Sequence, residues 1–562
     1  MANPAAPGPH IARQLSEAVG LHRQGRLDEA EKIYNRVLKA QRDNFDALHL
    51  LGQLNLHRGK PGEARKLIGA ALKVNPRSPE ALSSHAMVLH ALKRDSEALA
   101  DLDRALAIAP SHFEALNNRG ALLLALKRPT EALAVIDQVL AREPRIAQAR
   151  ANRGNALVEL GRHAEALADY DAALAMQPGD PTVLYNRGNA LRALGREADA
   201  VAAYDAAIAV APNYVNAWYN RGLALQALNR HGEALLSYDK VLAFEPNHAD
   251  AHFSAAAAHL TLGNYRAGLP QYEWRWKRSG MNARPRFRQP LWLGESSPAN
   301  RTILLHAEQG LGDPIQFARY APLLARMGAK VLLEVQPELK ELLSGLDGVA
   351  AVLAQGELLP AFDLHCPLAS LPLACKTEIA TVPAEIPYLR ATEDRLAKWR
   401  PRLDTMARPR VALAWSGRAS HVNDRNRSIA LSELAPLLAT PGVGFIGIQR
   451  EPRPADAAEL SRHSGLLQLG EELADFSDTA AVLSLVDLVV SVDTSVVHLA
   501  GALGRPTVVL LPFQPDWRWT LDREASPWYP ATQLFRQASP GNWGGVIARV
   551  TEKLASRAAP VT

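Results

Sequence analysis

The sequence predicts an α-helical solenoid followed by an α/β region that contains two parallel sheets. In the first half, small residues recur every 34 positions. In the second half, apolar runs of strand length alternate with stretches of helical spacing. The predicted domains are a solenoid over 11–278, a linker over 279–300, and two sheet-containing halves over 301–395 and 408–560.

The repeat is visible in three registers that share the period of 34 residues. Small residues form the first register: Ala18, Gly52, Ala86, Gly120, Gly154, Gly188, Gly222 and Ala256. Alanine forms the second, from Ala30 to Ala234, and proline the third, from Pro76 to Pro246. This period is that of the tetratricopeptide repeat, a helix pair in which small residues allow close approach and the proline ends the second helix.

Four asparagines repeat in the same register on the first helix of each pair: Asn118, Asn152, Asn186 and Asn220. An amide offers both a donor and an acceptor, so four in a row would bind the backbone of an extended acceptor peptide. In this respect the repeats resemble the superhelix of O-GlcNAc transferase, whose asparagine ladder holds protein substrates. The alternative is that each asparagine satisfies a neighbouring helix.

The join after the repeats is rich in aromatic and basic residues, from Tyr272 to Trp292. Prolines on both sides of apolar residues argue against a continued helix. We expect the aromatic side chains to pack the last helix pair onto the next domain and the arginines to coat the seam. Nucleic-acid binding is the alternative for this segment.

The second half begins with a predicted strand over 301–308, a tight turn over 309–313 and a helix over 314–327. Further strands are predicted over 330–335, 349–353, 411–415, 444–448, 466–469, 485–490 and 506–511. Strands that alternate with helices indicate parallel, doubly wound sheets, and two such sheets flanking a cleft form the GT-B architecture. Neither half contains the glycine fingerprint of dehydrogenases or a Walker lysine turn.

A family resemblance covers this second half. The turn Gly310–Asp313, together with Asp493–Ser495 and His498–Ala500 late in the chain, resembles the heptosyltransferase family of inverting sugar transferases. The resemblance implies an aspartate in the cleft and a late turn that holds a nucleotide diphosphate, although Ser495 replaces the usual glycine. Further runs resemble bacterial proteins that join tetratricopeptide repeats to such a domain, some of which glycosylate flagellin: Trp415–Gly417, Asn423–Asp424, Arg427–Ser428, Asp516–Trp519 and Ser526–Pro530.

Asp313 is the candidate catalytic base, because a carboxylate on a rigid turn that faces the cleft can remove the proton of an acceptor hydroxyl. The alternative role for Asp313 is an N-cap of the helix that begins at Pro314. Glu308 is a second candidate for the base.

The late turn lies where an apolar strand ends and a helix begins, so free N–H groups and the positive end of the helix dipole favour phosphate there. The predicted nucleotide-sugar-binding residues are Ser416, Gly417, Arg418, Arg427, Gln449, Asp493, Thr494, Ser495 and His498. Arginines can neutralise the leaving phosphate without a metal ion, and we expect neither a metal site nor a cofactor. Four aromatic residues after the last apolar run, Trp517, Trp519, Trp528 and Tyr529, are expected to pack a crossover segment.

Net charge, cysteine count and the lengths of apolar runs bear on the partners and the location of the protein. The formal net charge of +5 is small for 562 residues and does not demand nucleic acid. Two cysteines, no signal-peptide pattern and no transmembrane-length apolar run predict a cytoplasmic protein. The favoured function is transfer of a sugar from a nucleotide donor to Ser or Thr of a protein, such as flagellin, held by the solenoid. The alternatives are a non-catalytic peptide-binding scaffold and a sugar transferase of the lipopolysaccharide type.

Overall fold

The computed structural model describes residues 9–280, 285, 287–420 and 423–558 of the chain. The chain divides into two compact units, Met1–Asn220 and Arg221–Thr562. Within the described residues no helix is both long and apolar enough to cross a membrane.

Paired helices run through the repeats as far as Tyr272. Their bounds are α1 Pro9–Arg23, α2 Leu27–Ala40, α3 Phe45–His57, α4 Pro61–Val74, α5 Pro79–Ala91, α6 Asp95–Ile108, α7 Phe113–Ala125, α8 Pro129–Arg142, α9 Ala147–Glu159, α10 His163–Met176, α11 Pro181–Ala193, α12 Glu197–Val210, α13 Val215–Ala227, α14 His231–Phe244, α15 Ala249–Thr261 and α16 Tyr265–Tyr272. The prolines of the third register follow the ends of the second helices, as predicted; Pro76, for example, comes two residues after α4 ends at Val74.

The small residues of the first register lie where the two helices of a pair touch. A Cβ added at Gly188 would lie 2.4 Å from the ring of Tyr204, and one added at Gly154 would lie 2.6 Å from the ring of Tyr170. Both tyrosines are buried, and the Tyr204 hydroxyl donates to Oδ1 of Asn189 at 2.8 Å. The period of 34 residues therefore marks the contact between helices, because a larger side chain has no space there.

This packing predicts the effect of filling the contact. Gly188→Ala is expected to destabilise the first unit by about 1–3 kcal/mol, because the Tyr204 ring must move off its hydrogen-bonded position. That loss opposes and exceeds the gain in helix propensity of up to about 1 kcal/mol. The measurement is thermal or urea unfolding, with Gly179→Ala as the control, since a Cβ at Gly179 meets nothing within 4 Å. An unchanged or raised midpoint for Gly188→Ala would contradict the packing argument.

The second unit continues from the last repeats into two fully parallel sheets. The first sheet has the order β3-β2-β1-β4 and the second the order β10-β9-β8-β5-β6-β7. The strands are β1 Thr302–His306, β2 Lys330–Val335, β3 Val349–Ala354, β4 Leu364–Pro367, β5 Arg410–Ala414, β6 Gly444–Gly447, β7 Leu466–Gln468, β8 Leu488–Val492, β9 Thr507–Leu511 and β10 Thr532–Arg536. The predicted fold class, a repeat solenoid followed by a GT-B-like pair of parallel sheets, is confirmed.

Helices flank the sheets, and short 3₁₀ turns connect several elements. The helices are α17 Gly312–Phe317, α18 Tyr320–Arg326, α19 Pro337–Leu343, α20 Leu371–Ala374, α21 Glu393–Leu403, α22 Asp424–Arg427, α23 Ala435–Leu438, α24 Ala457–Arg462, α25 Phe476–Ser484, α26 Ser495–Ala502 and α27 Trp543–Ala558. A single helix was predicted over 314–327, but the structure has two, and Arg319 at the break donates its side chain to the Gln316 carbonyl at 2.9 Å.

The strand predictions differ from the structure at three strands. The sequence did not predict β4 and β10, and β8 begins at Leu488 rather than at Leu485. Asp487 explains the later start, because its carboxylate accepts a hydrogen bond from the backbone N–H of Arg410 at 2.8 Å. In a parallel sheet all strands point the same way, so the loops after β5, β6 and β8 leave from one edge. That edge carries the candidate site.

Candidate functional site

Three loops at the carboxyl edge of the six-stranded sheet are tied together by side chains that the sequence singled out. The Gln449 side-chain carbonyl, after β6, accepts from the backbone N–H of Ser416, after β5, at 3.1 Å. The Arg427 guanidinium donates to the main-chain carbonyl of Asp493, after β8, at 2.9 Å. A Cβ added at Gly417 would lie 2.5 Å from Nη2 of Arg427. The structure therefore brings these five predicted residues to one edge.

The turn after β8 has the form predicted for a phosphate site. Thr494 is the N-cap residue of the eight-residue helix α26, and its side chain makes no cap hydrogen bond. Its hydroxyl lies 3.3 Å from the Ser491 hydroxyl, and Ser495 begins the helix. A helix N-terminus attracts anions through its free N–H groups and its dipole. The positive charge of Arg427 on the preceding carbonyl adds to this potential.

His498, one turn into α26, is held by aromatic neighbours. Its Nδ1 lies 3.1 Å from the Tyr529 hydroxyl, and its ring stacks on Trp519 with centroids 5.6 Å apart. Burial lowers the pKa of His498 well below its usual value, and the charges of Arg518 and Arg319 lower it further. The imidazole is therefore neutral at physiological pH, so His498 adds no positive charge to the phosphate site.

The early turn packs directly against this helix. A Cβ added at Gly312 would lie 2.8 Å from Cδ2 of His498 and 3.5 Å from the Ser495 Cα. Only a glycine leaves room for so close an approach. The position next to Gly312 is Asp313, so the turn that carries the predicted base packs against the first turn of α26, which carries the predicted phosphate site.

Asp313 does not cap a helix. Helix α17 already begins at Gly312, its N-cap residue is Leu311, and the Asp313 carboxylate forms an ion pair with Arg518. The N-cap alternative is therefore wrong, because the side chain is committed to a partner on the other half of the unit. About a fifth of the Asp313 side chain is exposed. Burial raises the pKa of Asp313, and the positive charge of Arg518 opposes that rise.

Glu308, the second candidate base, faces another neighbour. Its carboxylate accepts from Nη2 of Arg275 at 3.0 Å and from the backbone N–H of Ala369 at 3.3 Å. Only 7% of the side chain is exposed. Burial raises the pKa of Glu308 to about 7, while the charge of Arg275 lowers it. Asp313 is the more accessible of the two carboxylates. Of the two, it alone pairs with Arg518, whose segment packs beside the turn after β8.

Arg518 is the residue of the site that sequence reasoning missed. It is 7% exposed and donates to Asp313, to Asp516 at 2.9 Å and to the Gln316 side-chain carbonyl at 2.7 Å. It also lies 4.6 Å above the Trp517 ring. The signal in the sequence is that Arg518 lies between two tryptophans. A cation that is buried among apolar side chains needs an acidic partner, so this pattern indicates a carboxylate nearby.

The aromatic residues of this crossover pack, as expected. Trp519, Trp528 and Tyr529 are fully buried, and Trp517 is 6% exposed. The Arg319 guanidinium lies among them and donates to the Trp528 carbonyl at 2.7 Å. These rings are therefore packed inside the protein, where they hold the crossover in place.

An open cavity adjoins the same sheet edge beyond Gln449. It has a volume of about 400 Å³ and is lined in part by Gln449, Gln468, Ser461, Glu471 and Glu472. Amide and carboxylate groups of this kind can bind the edge of a base and the hydroxyls of a ribose. Arg418, the remaining predicted donor residue, is exposed on the loop after β5.

In the first unit, the asparagines of the predicted ladder contact the preceding repeat. The Asn118 amide donates to Ser83 at 3.0 Å, and the Asn152 amide donates to Asn117 at 3.2 Å. The Asn186 amide donates to Asn155 at 3.0 Å, and the Asn220 amide donates to Tyr185 at 3.0 Å. Each side chain thus satisfies a neighbouring helix, which is the alternative role predicted for it. Each amide uses at least one N–H group in this way, and peptide binding by the ladder stays a prediction.

The segment that joins the repeats to the α/β region packs as predicted through its aromatic residues, but one of its arginines is buried. Tyr272 packs towards the α/β region, with its ring centroid 6.2 Å from that of Trp517. Arg275, however, does not coat the seam: it is 2% exposed and pairs with Glu308 and Glu273. Its buried position follows from those two acidic partners. Arg284 and Arg286 lie outside the described residues.

Comparisons with known proteins find relatives of both the repeats and the α/β region. Residues 457–520 match glycosyltransferase family 9 (heptosyltransferase), and tetratricopeptide repeat families match over 21–88, 96–141, 117–181, 188–229 and 215–248. Protein FlbA of Caulobacter vibrioides is 27% identical over 325 residues, which are 53% of this chain and 54% of that protein. The chain thus spans about half the length of the curated relative that it matches.

Solved structures of repeat proteins are similar to part of the chain. A tetratricopeptide repeat protein from Parabacteroides merdae is 21% identical and covers 44% of this chain and 98% of that chain, with a TM-score of 0.36. A thermophilic TPR protein of Thermus thermophilus is 25% identical and covers 32% of this chain and 99% of that chain, with a TM-score of 0.30. From its sequence matches, the chain joins tetratricopeptide repeats to a domain of the glycosyltransferase family 9 (heptosyltransferase) type.

Proposed function

We propose that this protein is an inverting, metal-independent glycosyltransferase that moves a sugar from a nucleotide donor to Ser or Thr of a protein held by the repeats. The observation that carries the proposal is the packing of the Gly312–Asp313 turn against α26, whose N-terminus is the candidate phosphate site. Gly312 lies against His498 and Ser495, which supports placing the candidate base and the candidate phosphate site in one crevice. The family 9 match over 457–520 includes that late turn.

The donor binds along the carboxyl edge of the six-stranded sheet. Its diphosphate lies at the N-terminus of α26, where Thr494, Ser495 and Arg427 offer hydroxyl groups, N–H groups and a positive charge. The nucleoside occupies the cavity beside Gln449. Because the arginine stabilises the departing diphosphate, the reaction needs no metal ion for that purpose.

Asp313 accepts the proton of the acceptor hydroxyl as that oxygen attacks the anomeric carbon of the sugar. The bond from the anomeric carbon to the phosphate oxygen breaks at the same time, and its electron pair leaves with the nucleotide. Attack from the side opposite the leaving group inverts the anomeric configuration. The proton is left on Asp313 and then passes to solvent.

A protein acceptor is proposed because the chain carries tetratricopeptide repeats before the transferase region. The asparagine register in the first unit supplies carboxamide groups that can engage an extended backbone. Flagellin is one acceptor of this class. We place the reaction in the cytoplasm, where nucleotide sugars are made.

The proposal is tested with purified protein, a panel of nucleotide sugars and a candidate acceptor, analysed by mass spectrometry. Addition of one sugar mass to the acceptor with one donor is expected. Arg427→Met is expected to raise the KM for the donor about tenfold or more, because a charge-assisted contact beside the phosphates is lost. Arg425→Met is the control, since Arg425 lies exposed on the same short helix.

Two outcomes contradict the proposal. The first is the absence of any mass addition across the panel, together with no nucleotide binding by calorimetry, which selects a peptide-binding scaffold. The second is transfer to a lipid-linked sugar acceptor that persists when residues 1–220 are deleted, which selects a transferase of the lipopolysaccharide type. Equal KM values for Arg427→Met and Arg425→Met would place the phosphates elsewhere.

A further inference from the structure

The end of the repeat array touches the turn that carries Asp313. Tyr272, the last residue of α16, has its hydroxyl 3.1 Å from Nε2 of Gln309, which donates to it. The main-chain carbonyl of Gln309 also accepts from the Gln336 side chain at 2.8 Å. Gln309 begins the predicted turn, so Tyr272 and Gln336 hold its first residue from two sides.

A buried ion-pair network reaches the same turn from the 3₁₀ turn Glu273–Lys277 that follows α16. Arg275 donates to Glu308 at 3.0 Å and to the Ser370 hydroxyl at 2.7 Å. Ser370 in turn donates to Glu273 at 2.7 Å. Since Glu308 precedes Gln309, two consecutive residues of the base-bearing segment are bound by the end of the repeats.

The same helix, α16, also contacts the segment that carries Arg518, the ion-pair partner of Asp313. The rings of Tyr265 and Tyr272 meet Trp517 edge-on, with centroids 5.8 Å and 6.2 Å from its ring. Trp517 lies under the guanidinium of Arg518, which pairs with Asp313. The last repeat therefore contacts both the segment that carries Asp313 and the segment that carries its cation.

We propose that the final repeat is part of the transferase centre, with Tyr272 and Arg275 as positioning residues that hold the Asp313 turn against Arg518. This inference rests on the proposed function. The last repeats are then more than a tether for the acceptor, because they set the geometry of the base. Misplacement of a reacting group by about 1 Å can lower a rate about 100-fold, so small shifts of this turn matter.

The test uses the full-length chain with Tyr272→Phe, Arg275→Met and Arg275→Lys. Hydrogen exchange of the backbone amides over 308–317 reports on the turn without any assay of activity, and kcat and KM report on the reaction. Tyr272→Phe keeps the ring against Trp517 and removes only the hydroxyl that Gln309 contacts. Arg266→Ala is the matched control, because Arg266 also joins α16 to the α/β region, through Glu378 at 2.7 Å, but lies 86% exposed and away from the turn.

We expect exchange over 308–317 to rise about tenfold in Tyr272→Phe and in Arg275→Met, and kcat to fall by a similar factor with little change in the KM for the donor. Arg275→Lys is expected to restore part of the protection because it keeps the charge beside Glu308. Arg266→Ala is expected to match the wild type in both measurements.

Unchanged exchange over 308–317 in Tyr272→Phe and Arg275→Met would overturn the proposal, whether or not sugar transfer is observed. So would a rise of equal size in Arg266→Ala, since the effect would then belong to the helix and not to these two contacts. If exchange rises as expected but the wild type transfers no sugar from any donor, the positioning role stands and the proposed function fails. The two conclusions are thus distinguished by separate readouts.

Discussion

Asp313→Asn is expected to lower kcat about 100-fold to 10,000-fold while the KM for the nucleotide sugar stays nearly unchanged. Asparagine has the same shape as aspartate, and its amide can still contact Arg518, so the turn is expected to keep its position. It cannot accept the proton of the acceptor hydroxyl. The measurement is initial-rate kinetics of sugar transfer with the donor and acceptor identified by the panel.

Glu308→Gln provides the comparison that identifies the base. The Glu308 carboxylate is already bound by Arg275 and by the backbone N–H of Ala369, and little of it is exposed. We therefore expect Glu308→Gln to reduce kcat far less than Asp313→Asn does. A larger loss in Glu308→Gln, with near-normal rates for Asp313→Asn, would reverse the assignment of the base.

Arg518→Met is expected to have the second large effect, on both stability and pH dependence. Removing one partner from a buried ion pair typically costs about 3–5 kcal/mol, because the remaining charge has no compensation. In this protein two carboxylates, those of Asp313 and Asp516, lose their cation. The free energy of unfolding of the second unit, measured by urea titration, should fall accordingly.

The direction of the pH effect follows from the charges around Asp313. Burial favours the neutral carboxyl and raises its pKa, the negative charge of Asp516 acts in the same direction, and Arg518 and Arg275 oppose both. Without Arg518 the pKa of Asp313 rises further, so a smaller fraction is ionised at a given pH. Since the base must be ionised, the acidic limb of kcat/KM should move to higher pH in Arg518→Met. His498 faces the same crevice but is neutral, so it adds no opposing charge.

Arg523→Met is the control for this prediction, because Arg523 lies exposed on the same crossover after β9. It should leave the free energy of unfolding within about 0.5 kcal/mol of the wild type, as is usual at exposed sites. It should also leave the pH profile in place. An acidic limb that does not move in Arg518→Met would show that Asp313 is not the ionising group that limits the rate.

Both predictions depend on a site assembled from two halves of one structural unit. Asp313 follows β1 of the four-stranded sheet, whereas Arg518 follows β9 of the six-stranded sheet. The phosphate turn and Arg427 belong to the second sheet as well. A change on either side of the crevice is therefore expected to act on the same reaction, so double substitutions across it should not be additive.

The sequence predicted the repeats accurately because their information is local. Each glycine of the first register lies against a side chain of the second helix of its pair, as Gly188 lies against Tyr204. The central strands were also predictable, since strands buried on both faces read as continuous apolar runs. β4 and β10 escaped prediction; each lies at an edge of its sheet, where fewer apolar residues are needed.

The sequence alone determined the helical repeats, the parallel sheets and the strand-turn-helix units that carry the candidate site residues, because periodicity and strand-turn-helix patterns act over short stretches of chain. Only the tertiary structure decided the partners of the charged groups. Asp313 and Arg518 are 205 residues apart, and Arg275 and Glu308 are 33 apart. Whether such charges pair depends on which elements pack together in three dimensions and on how much water they exclude, and no local pattern records either.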